Sequence, residues 1–242
     1  MAKPAEPPPP AGQFGPDTYA AWRFSSLGAI TEALELSLIL DLAGPLAGRS
    51  ALDAGCGDGT LALALARHGA AQVSGFDLDP RMVARAHAQA TRFGIGIGLA
   101  VARSEALPYA DQSFDVVTCI TVLAFVPDPE TAIREMARVL RPGGRLVIGD
   151  LGRWSLWALR RRIRGWLGAT LWRGARFRTA AELAALIGRA GLRVGAIHGA
   201  IFFPPWPPWT ALARLMAPFD RSLGRVTTVG AAFVAIQATK QA

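Results

Sequence analysis

Cysteine, histidine and long apolar runs are all scarce in this 242-residue sequence. Two cysteines cannot build the disulfide framework of a small secreted protein, and no cysteine or histidine cluster has the spacing of a zinc site. No stretch of 18 apolar residues without a charge occurs, which argues against a membrane-spanning helix. We therefore expect a cytoplasmic protein without a bound metal, for which contact with a membrane surface remains the alternative.

The start of the sequence differs in composition from the rest. Residues 1–16 contain a run of four prolines and no apolar stretch as long as a secretory signal needs, so we expect an extended or disordered lead-in. The whole chain has 51% hydrophobic and 18% charged residues, which suits a buried core rather than disorder. Residues 17–242 are predicted to form a single domain.

Short apolar runs alternate with helical patterns along this domain. The pattern over 27–42 has apolar residues at helical spacing and ends at Gly44-Pro45. Strands are predicted at 50–54, 72–76, 98–102, 114–119, 145–149, 192–197 and 226–238. Helices are predicted between them at 60–67, 80–93, 129–140 and 179–190. Short strands separated by helices indicate an α/β fold with a doubly wound, mainly parallel sheet.

A glycine-rich segment follows the first predicted strand. It reads Leu52-Asp53-Ala54-Gly55-Cys56-Gly57-Asp58-Gly59-Thr60 and lies where a strand leads into a helix, so its backbone can approach a ligand closely. No lysine follows the last glycine, which excludes a P-loop, and G-x-G-x-G is one residue shorter than the dinucleotide pattern G-x-G-x-x-G. Asp53 would repel a pyrophosphate at this loop. The segment therefore indicates a ligand with a cationic end.

A second acid, Asp77, lies 24 residues after Asp53, at the end of the second predicted strand. Neighbouring parallel strands end at one edge of the sheet, where a carboxylate can accept hydrogen bonds from both hydroxyls of a ribose. Either Asp77 or Asp79 can instead cap the helix that begins at Pro80. We assign the cap to Asp79 and the ribose to Asp77. Three glycines and two acids together predict a site for a nucleoside with an amino-acid-like tail.

Four segments resemble the class I S-adenosylmethionine-dependent methyltransferases. They are LDAGCGDG at 52–59, FDLD at 76–79, SEALPYADQSFDVV at 104–117 and EMARVLRPGGRLVI at 135–148. The subgroup that they resemble contains the C-methyltransferases of ubiquinone and menaquinone biosynthesis, and the resemblance covers about residues 17–150. It implies S-adenosyl-L-methionine as the cofactor and a seven-stranded, Rossmann-like sheet with a helical lid.

The resemblance also implies roles for individual residues. The three glycines line the methionine and ribose portion of the cofactor, Asp53 lies near its ammonium group, and Asp77 binds the ribose hydroxyls. Leu78 packs against the adenine, and an N-terminal helix that includes Tyr19 closes over the cofactor. The predicted cofactor-binding residues are Tyr19, Asp53, Ala54, Gly55, Cys56, Gly57, Gly59, Asp77, Leu78, Ser104, Glu105 and Thr121.

Two positions depart from the pattern of the relatives. An acid followed by a small residue contacts the adenine edge in relatives, and the matching pair here is Arg103-Ser104. Arginine cannot accept a hydrogen bond from the adenine amino group, so Glu105 or a backbone carbonyl must replace the acid, or packing alone holds the adenine. Phe125 occupies a place where relatives often have histidine, and core packing explains it equally well. Thr121 matches a position that faces the sulfonium.

Methyl transfer from a sulfonium is an in-line displacement with an activated leaving group. Positioning of the acceptor can therefore supply most of the rate, and no dedicated catalytic residue is required. Tyr19, Asp150 and His198 are candidate bases, but a lid contact, a loop cap and a strand position explain them better. The catalytic residue is left unassigned.

A basic, tryptophan-rich segment follows the strand predicted at 145–149. Residues 151–178 contain eight arginines, four tryptophans and no acid, whereas the other 214 residues balance 18 bases against 18 acids. Leu156, Leu159, Ile163 and Trp166 recur at helical spacing, which predicts an amphipathic basic helix. In methyltransferases the segment at this place commonly forms a lid over the acceptor pocket, with tryptophan and leucine packed on the domain and arginine in water.

The same segment allows a wider interpretation. A basic helix with aromatic edges can lie in the headgroup region of an anionic membrane as well as cover a pocket. Nucleic acid is disfavoured, because the tryptophans follow helical periodicity and form no stacking platform on strands. A second insertion is predicted over 200–218, where four prolines and four large aromatic residues at 202–209 would form a stiff pocket wall or dip into a membrane surface.

Two functions from different classes follow from these features. The first is S-adenosylmethionine-dependent methyl transfer to a hydrophobic small-molecule or lipid acceptor, one that could carry an anionic group. The alternative is a membrane-surface or partner-binding protein that keeps the scaffold without catalysis. A nicotinamide oxidoreductase is disfavoured by the spacing of the glycines.

Overall fold

The computed structural model describes residues 21–206 and 209–241, so the predicted lead-in 1–16 and Tyr19 lie outside the described residues. The strands are β1 Ser50–Ala54, β2 Gln72–Asp77, β3 Gly98–Val101, β4 Phe114–Ile120, β5 Leu140–Leu151, β6 Leu192–Ala200 and β7 Phe233–Lys240. The helices are α1 Ser26–Ala43, α2 Thr60–Arg67, α3 Pro80–Arg92, α4 Pro129–Val139, α5 Leu156–Trp166, α6 Thr170–Gly174, α7 Ala180–Arg189 and α8 Thr210–Val226.

All seven strands belong to one sheet, in the order β3-β2-β1-β4-β5-β7-β6. The pairs from β3 to β5 are parallel, whereas β7 lies antiparallel between β5 and β6. The predicted seven-stranded, doubly wound and mainly parallel sheet is therefore confirmed.

Because helices cover the sheet on both faces, its central strands are buried on both sides. Along β1, Leu52 and Ala54 belong to one core cluster with residues of α4 and α7, while Ala51 belongs to a second cluster with residues of α1 and α2. Successive side chains of a strand point to opposite faces, so one short apolar strand contributes to two cores. This explains why β1 is an uninterrupted buried run rather than an alternating one.

Local capping sets the start of several helices as their sequences indicate. Asp79 accepts a hydrogen bond from the backbone of Arg81 and is the N-cap of α3, with Pro80 in the first turn. Asp128 likewise caps α4 and accepts from the backbone of Thr131. Both caps satisfy an amide that has no partner within the helix. The assignment of Asp79 as the cap is thus confirmed.

The C-terminal part differs from the sequence prediction. The strand expected over 226–238 begins only at Phe233, and Val226 is the last residue of α8. The β-branched residues that follow Arg225 favour a strand by propensity, but Val226 is still helical and residues 227–229 lie in the connection to β7. Gly224 lies so close to β6 that a Cβ there would be 1.9 Å from the Gly199 oxygen.

No helix in the described ranges 21–206 and 209–241 is both long enough and apolar enough to cross a membrane.

The contact between α8 and β6 can be tested with two helical glycines. Gly224→Ala should lower the free energy of unfolding by about 1–3 kcal/mol, because the added methyl group must push the helix off the strand. Gly188→Ala in α7 is the matched control: its Cβ would meet nothing within 4 Å, so the same change should stabilise by about 0.5 kcal/mol. Urea unfolding of both variants measures this, and equal effects would contradict the close packing.

Candidate functional site

The carboxyl ends of β1 and β4 bound a crevice at the place where the strand order reverses. β1 is followed by α2 on one face, and β4 leads to α4 on the other. Neighbouring strands whose connections leave toward opposite faces cannot close the space between them, which makes this the usual ligand site of open α/β sheets. The glycine-rich loop follows β1 and Thr121 follows β4, so both lie at this edge.

The loop after β1 needs its glycines for backbone conformation. Gly55, Gly57 and Gly59 have φ angles of 77°, 53° and 86°, in the region that residues with a Cβ rarely adopt. A Cβ on Gly55 would come within 2.3 Å of Val122, whereas one on Gly57 would meet nothing within 4 Å. Gly57 therefore faces open space, as expected where a backbone approaches a ligand.

Asp77 is fixed to this loop by backbone hydrogen bonds. Its Oδ2 accepts from the amide of Gly57 at 2.9 Å, and its Oδ1 accepts from the amide of Asp79 at 2.9 Å. Each carboxylate oxygen can accept further hydrogen bonds, so the group is oriented and still has capacity for two hydroxyls. Burial raises the pKa of Asp77, although the hydrogen bonds from Asp79 and Gly57 oppose the shift.

Asp53 lies deeper, in β1 itself, and is 2% exposed. The hydroxyl of Thr118 on the paired strand β4 donates to its Oδ1 at 2.9 Å. Burial raises the pKa of Asp53 to about 7; the hydrogen bond from Thr118 opposes this shift and the charge of Asp77 adds to it. A buried carboxyl of this kind gains most from a cationic ligand, which would restore its ionised form.

A cavity of about 600 Å³ opens at this edge of the sheet. Predicted cofactor residues that line it are Asp53, Gly55, Cys56, Gly57 and Thr121. Thr121 has a φ of 57° and donates its amide to the Gly149 oxygen at 2.7 Å. A β-branched residue in this region is strained, so the tertiary structure imposes its conformation at the cavity wall.

The other predicted cofactor residues lie outside this lining. Ala54 is buried in the sheet, and Gly59 packs against Ala86 of α3. Leu78 is 56% exposed beside Asp77, so its apolar side chain is free to contact a ligand. Ser104 and Glu105 follow β3 and do not line the cavity. Ser104 is buried, and a carboxylate oxygen of Glu105 lies 3.6 Å from the guanidinium of Arg103.

The segment 151–178 forms α5 and α6, and both helices contribute to the cavity. The predicted orientation of α5 is wrong: the arginines do not simply face water, and most of its apolar residues do not pack on the domain. Arg160, Arg161 and Arg164 line the cavity. The large apolar residues exposed on α5 and just after it are Leu156, Leu159, Ile163, Trp166 and Leu167.

Trp157 explains this orientation. It is the buried tryptophan of α5, and its Nε1 donates to the Phe203 oxygen at 2.8 Å while the two rings meet edge to face. Arg160 in turn donates to the Pro205 oxygen. The described part of the 200–218 insertion therefore holds α5 in place through these contacts. It contributes no residue to the cavity lining.

The candidate bases fall into different surroundings. Asp150 is fully buried, accepts from Arg178 at 3.2 Å, and does not line the cavity. Burial raises its pKa to about 6. His198 lies on β6 near Arg225 and Arg221, and burial followed by these charges lowers its pKa. Neither residue reaches the cavity, and Tyr19 lies outside the described residues.

Sequence reasoning missed acids and aromatic residues that α1, α5 and α6 bring to the cavity. Glu35 of α1 lines it, and burial raises its pKa to about 7. Arg23 links α1 to the glycine-rich loop through ion pairs with Glu32 of α1 and with Asp58 of the loop. Glu35 lies among leucines of a helical pattern, so an acid on an apolar face was the available signal.

Within the described chain, no group of three or more acids, histidines or cysteines is arranged to hold a metal.

Comparison with known proteins identifies the class of this fold and site. The family described as "Methyltransferase domain" matches residues 52–148, which span the strands and loops around the crevice. A S-adenosylmethionine-dependent methyltransferase of Thermotoga maritima, described as a possible histamine N-methyltransferase, superposes with a TM-score of 0.68 at 23% identity, over 93% of this chain and 95% of that one. The fold is the Rossmann-like class I methyltransferase fold.

Sequence similarity narrows this class to a family. The ubiquinone biosynthesis O-methyltransferase of Xanthomonas euvesicatoria pv. vesicatoria is 38% identical over 177 residues, which cover 70% of this chain and 72% of the relative. A geranyl diphosphate C-methyltransferase of Streptomyces coelicolor, solved with S-adenosyl-L-homocysteine, superposes with a TM-score of 0.65 at 18% identity, over 86% of this chain and 80% of that one. The chain belongs to the S-adenosylmethionine-dependent methyltransferase family, and S-adenosyl-L-methionine is its cofactor.

The buried acid of β1 gives a pH-dependent prediction. Between about pH 4 and pH 7 folded Asp53 keeps a proton that the unfolded chain has released, so its contribution to the free energy of unfolding falls as pH rises. Asp53→Asn should reduce this fall by on the order of a few kcal/mol, since Asn still accepts from Thr118.

Urea unfolding at pH 5 and pH 8 measures the effect. Asp128→Asn is the control, because hydrogen bonds from Thr131 lower the pKa of that capping acid. This control should lose stability at both pH values and keep the slope of the unaltered protein. An unchanged slope in Asp53→Asn would mean that Asp53 ionises in the usual range.

Proposed function

We propose that the protein transfers the methyl group of S-adenosyl-L-methionine to a hydrophobic small-molecule or lipid acceptor bound in the cavity beside the glycine-rich loop. The main support for this proposal is that residues of the glycine-rich loop and large apolar side chains line the same cavity. The large apolar and aromatic lining residues are Trp22, Leu36, Ile39, Leu61, Ile120, Phe125, Leu151, Trp157, Leu171 and Trp172. Ten large apolar side chains in one cavity suit a lipophilic acceptor, and the charged side chains of the lining can orient it.

The proposed cofactor site runs along the edge of the sheet from β4 to β3. Asp53 faces the ammonium group, Gly55 and Gly57 let the backbone approach the methionine and ribose portions, and Asp77 accepts from the ribose hydroxyls. Two backbone amides already orient Asp77, and the space beside Gly57 is open, so the residues present fit this ligand. The exposed side chain of Leu78 covers one face of the adenine, with Ser104 and Glu105 at its edge.

Catalysis in this proposal depends on positioning. The bound cofactor supplies an electrophilic methyl group on a sulfonium. Thr121, in its strained conformation at the end of β4, holds the wall where the methyl group and the acceptor meet. The aromatic residues of α5 and α6 exclude water and fix the acceptor, which lowers the entropic part of the barrier. The name of the Xanthomonas relative supports an oxygen acceptor of quinone type.

The transfer can be tested with methyl-labelled cofactor and cell extract. Label should enter the organic phase. Asp77→Ala should weaken cofactor binding about tenfold to a hundredfold, because two charge-assisted hydrogen bonds are lost, and should reduce the transfer by a similar factor when the cofactor is below saturation. Asp79→Ala is the matched control: it removes the cap of α3, costs about 1 kcal/mol of stability and leaves cofactor affinity intact.

Each outcome separates one hypothesis from another. Label found only in protein or nucleic acid would contradict the lipophilic acceptor. Cofactor binding without transfer to any extract component would favour the non-catalytic alternative. Equal affinity of Asp77→Ala and the unaltered protein, measured by calorimetry, would remove Asp77 from the site.

The exposed face of α5 supports a second part of the proposal, peripheral contact with an anionic membrane. Trp166 and Leu167 are 79% and 81% exposed, and Ile163 lies one turn before them. Exposed arginines accompany them at 164, 173 and 176. Apolar and aromatic residues with basic neighbours bind the headgroup region of anionic bilayers, where a lipophilic acceptor would also be found.

Vesicle sedimentation tests this contact. The protein should pellet with vesicles that contain anionic lipid, less so as salt increases, and the double variant Ile163→Gln, Trp166→Gln should partition about tenfold less. Leu215→Gln with Phe219→Gln changes two exposed apolar residues of α8 and serves as the control. Loss of binding in the control as well, or no salt-sensitive pelleting at all, would contradict a contact through α5.

A further inference from the structure

Three arginines of α5 border the cavity: Arg160 and Arg161 are half-buried, and Arg164 is exposed. Arg160, Arg161 and Arg164 all line it, together with the glycine-rich loop and α1. Arginine side chains on an amphipathic helix ordinarily face water, since a guanidinium loses solvation when it is buried. Their placement toward the acceptor cavity, while leucine and tryptophan of the same helix are exposed, requires an explanation.

Arg161 packs against two aromatic rings. Its guanidinium lies 5.3 Å from the ring centroid of Trp157 and 5.0 Å from that of Trp172, so two aromatic faces fix its orientation. Burial lowers the pKa of Arg161 to about 10; the charge of Glu35 opposes this, and that of Arg160 adds to it. The side chain stays positively charged at neutral pH, inside an apolar wall.

Arg160 and Arg164 lie one helical turn apart and act on the same space. Burial lowers the pKa of Arg160, and the charge of Arg164 lowers it further, which reports two like charges close together. Like charges at this spacing destabilise a helix unless something compensates them. Arg160 donates to the Pro205 oxygen and Arg164 is exposed to solvent, but no carboxylate of the described residues compensates their charges; both residues line the cavity, where an anionic ligand could do so.

No acid of the described residues neutralises these charges at contact distance. Among residues 21–206 and 209–241, no carboxylate lies within 4.0 Å of the guanidinium groups of Arg160, Arg161 or Arg164. The acids nearest the cavity are committed elsewhere: Glu32 and Asp58 pair with Arg23. Glu35 faces Arg161, but burial raises its pKa to about 7, so it is partly protonated near neutral pH.

We infer that Arg160, Arg161 and Arg164 form a binding site for an anionic group, a carboxylate or a phosphate, of the acceptor. This inference rests on the proposed function and narrows the acceptor to an amphiphilic anion: an apolar or aromatic body against Trp157 and Trp172, and a negative group at α5. Guanidinium groups bind carboxylates and phosphates through paired hydrogen bonds, which also fixes the direction in which the body points.

The site would act on selectivity as well as affinity. A neutral acceptor of the same shape leaves the desolvated guanidinium of Arg161 without an anionic partner at contact distance, so the site discriminates against it. Anchoring the anion at α5 also orients the opposite end of the acceptor, a requirement when positioning supplies the rate.

Calorimetry with simple probes can test the inference on the whole protein loaded with S-adenosyl-L-homocysteine. The probes are 2-naphthoate, 2-naphthyl phosphate and the neutral 2-naphthamide, which share an aromatic body. An anionic probe should bind about tenfold to a hundredfold more tightly than the amide. Comparison of the two anions then shows whether the site prefers carboxylate or phosphate.

The double variant Arg160→Gln, Arg164→Gln should lose this preference. Arg162→Gln is the matched control, because Arg162 lies on the same helix, faces the Phe177 ring and does not line the cavity. Retention of the preference in the control and its loss in the double variant would support the site. Equal binding of amide and anions to the unaltered protein, or an equal loss in the control, would overturn it.

Two further measurements distinguish an acceptor site from a cofactor site and from a membrane-binding surface. Binding of S-adenosyl-L-homocysteine itself should be the same in both variants; a loss confined to the double variant would mean that the arginines hold the cofactor carboxylate, which overturns the assignment. If the cofactor product does not bind the unaltered protein at all, the proposed cofactor site fails instead. If the double variant loses binding to anionic vesicles while the naphthyl anions do not bind the unaltered protein, the arginines belong to a membrane surface, which contradicts an acceptor site.

Discussion

The reversal of strand order between β1 and β4 is the constraint on which the rest of the site depends. These two parallel strands pair directly, yet the chain leaves them toward opposite faces of the sheet, so a crevice remains at their carboxyl ends. The glycine-rich loop, Asp53 and Thr121 reach this crevice only because their strands end there. The hydrogen bond from Gly57 to Asp77 then extends the site sideways to β2.

Electrostatics divide the cavity into two parts. On the cofactor side, burial raises the pKa of Asp53 and of Asp77, so a cationic ligand is favoured where the acids lie. On the side of α5, desolvation lowers the pKa of Arg160 and of Arg161, so an anion is favoured there. Opposite preferences at two places in one apolar cavity would orient two substrates of different charge, with the methyl group between them.

The α5 helix contributes to both the cavity lining and the exposed apolar surface. Trp157 packs against Phe203 and fixes the rotation of the helix, which turns arginine inward and leaves leucine, isoleucine and tryptophan outside. A helix that presents charge to a cavity and apolar side chains to the surroundings is the reverse of an ordinary surface helix. The same rotation thus supports both an anionic acceptor and contact with a lipid surface.

The sequence alone determined the sheet, the glycine-rich loop, the cap at Asp79 and the nature of the cofactor, because each depends on local patterns: strand length, positive φ at glycine, and an acid at a strand end. It failed after Arg225, where β-branched residues favour a strand, but α8 runs to Val226 with Gly224 packed on β6, and the strand begins only at Phe233. It also failed at α5, since a helical pattern with both arginine and leucine on neighbouring flanks does not specify which flank faces inward. Only the packing of Trp157 on a loop some 46 residues away, together with the aromatic rings around Arg161, decided that the charges enter the cavity.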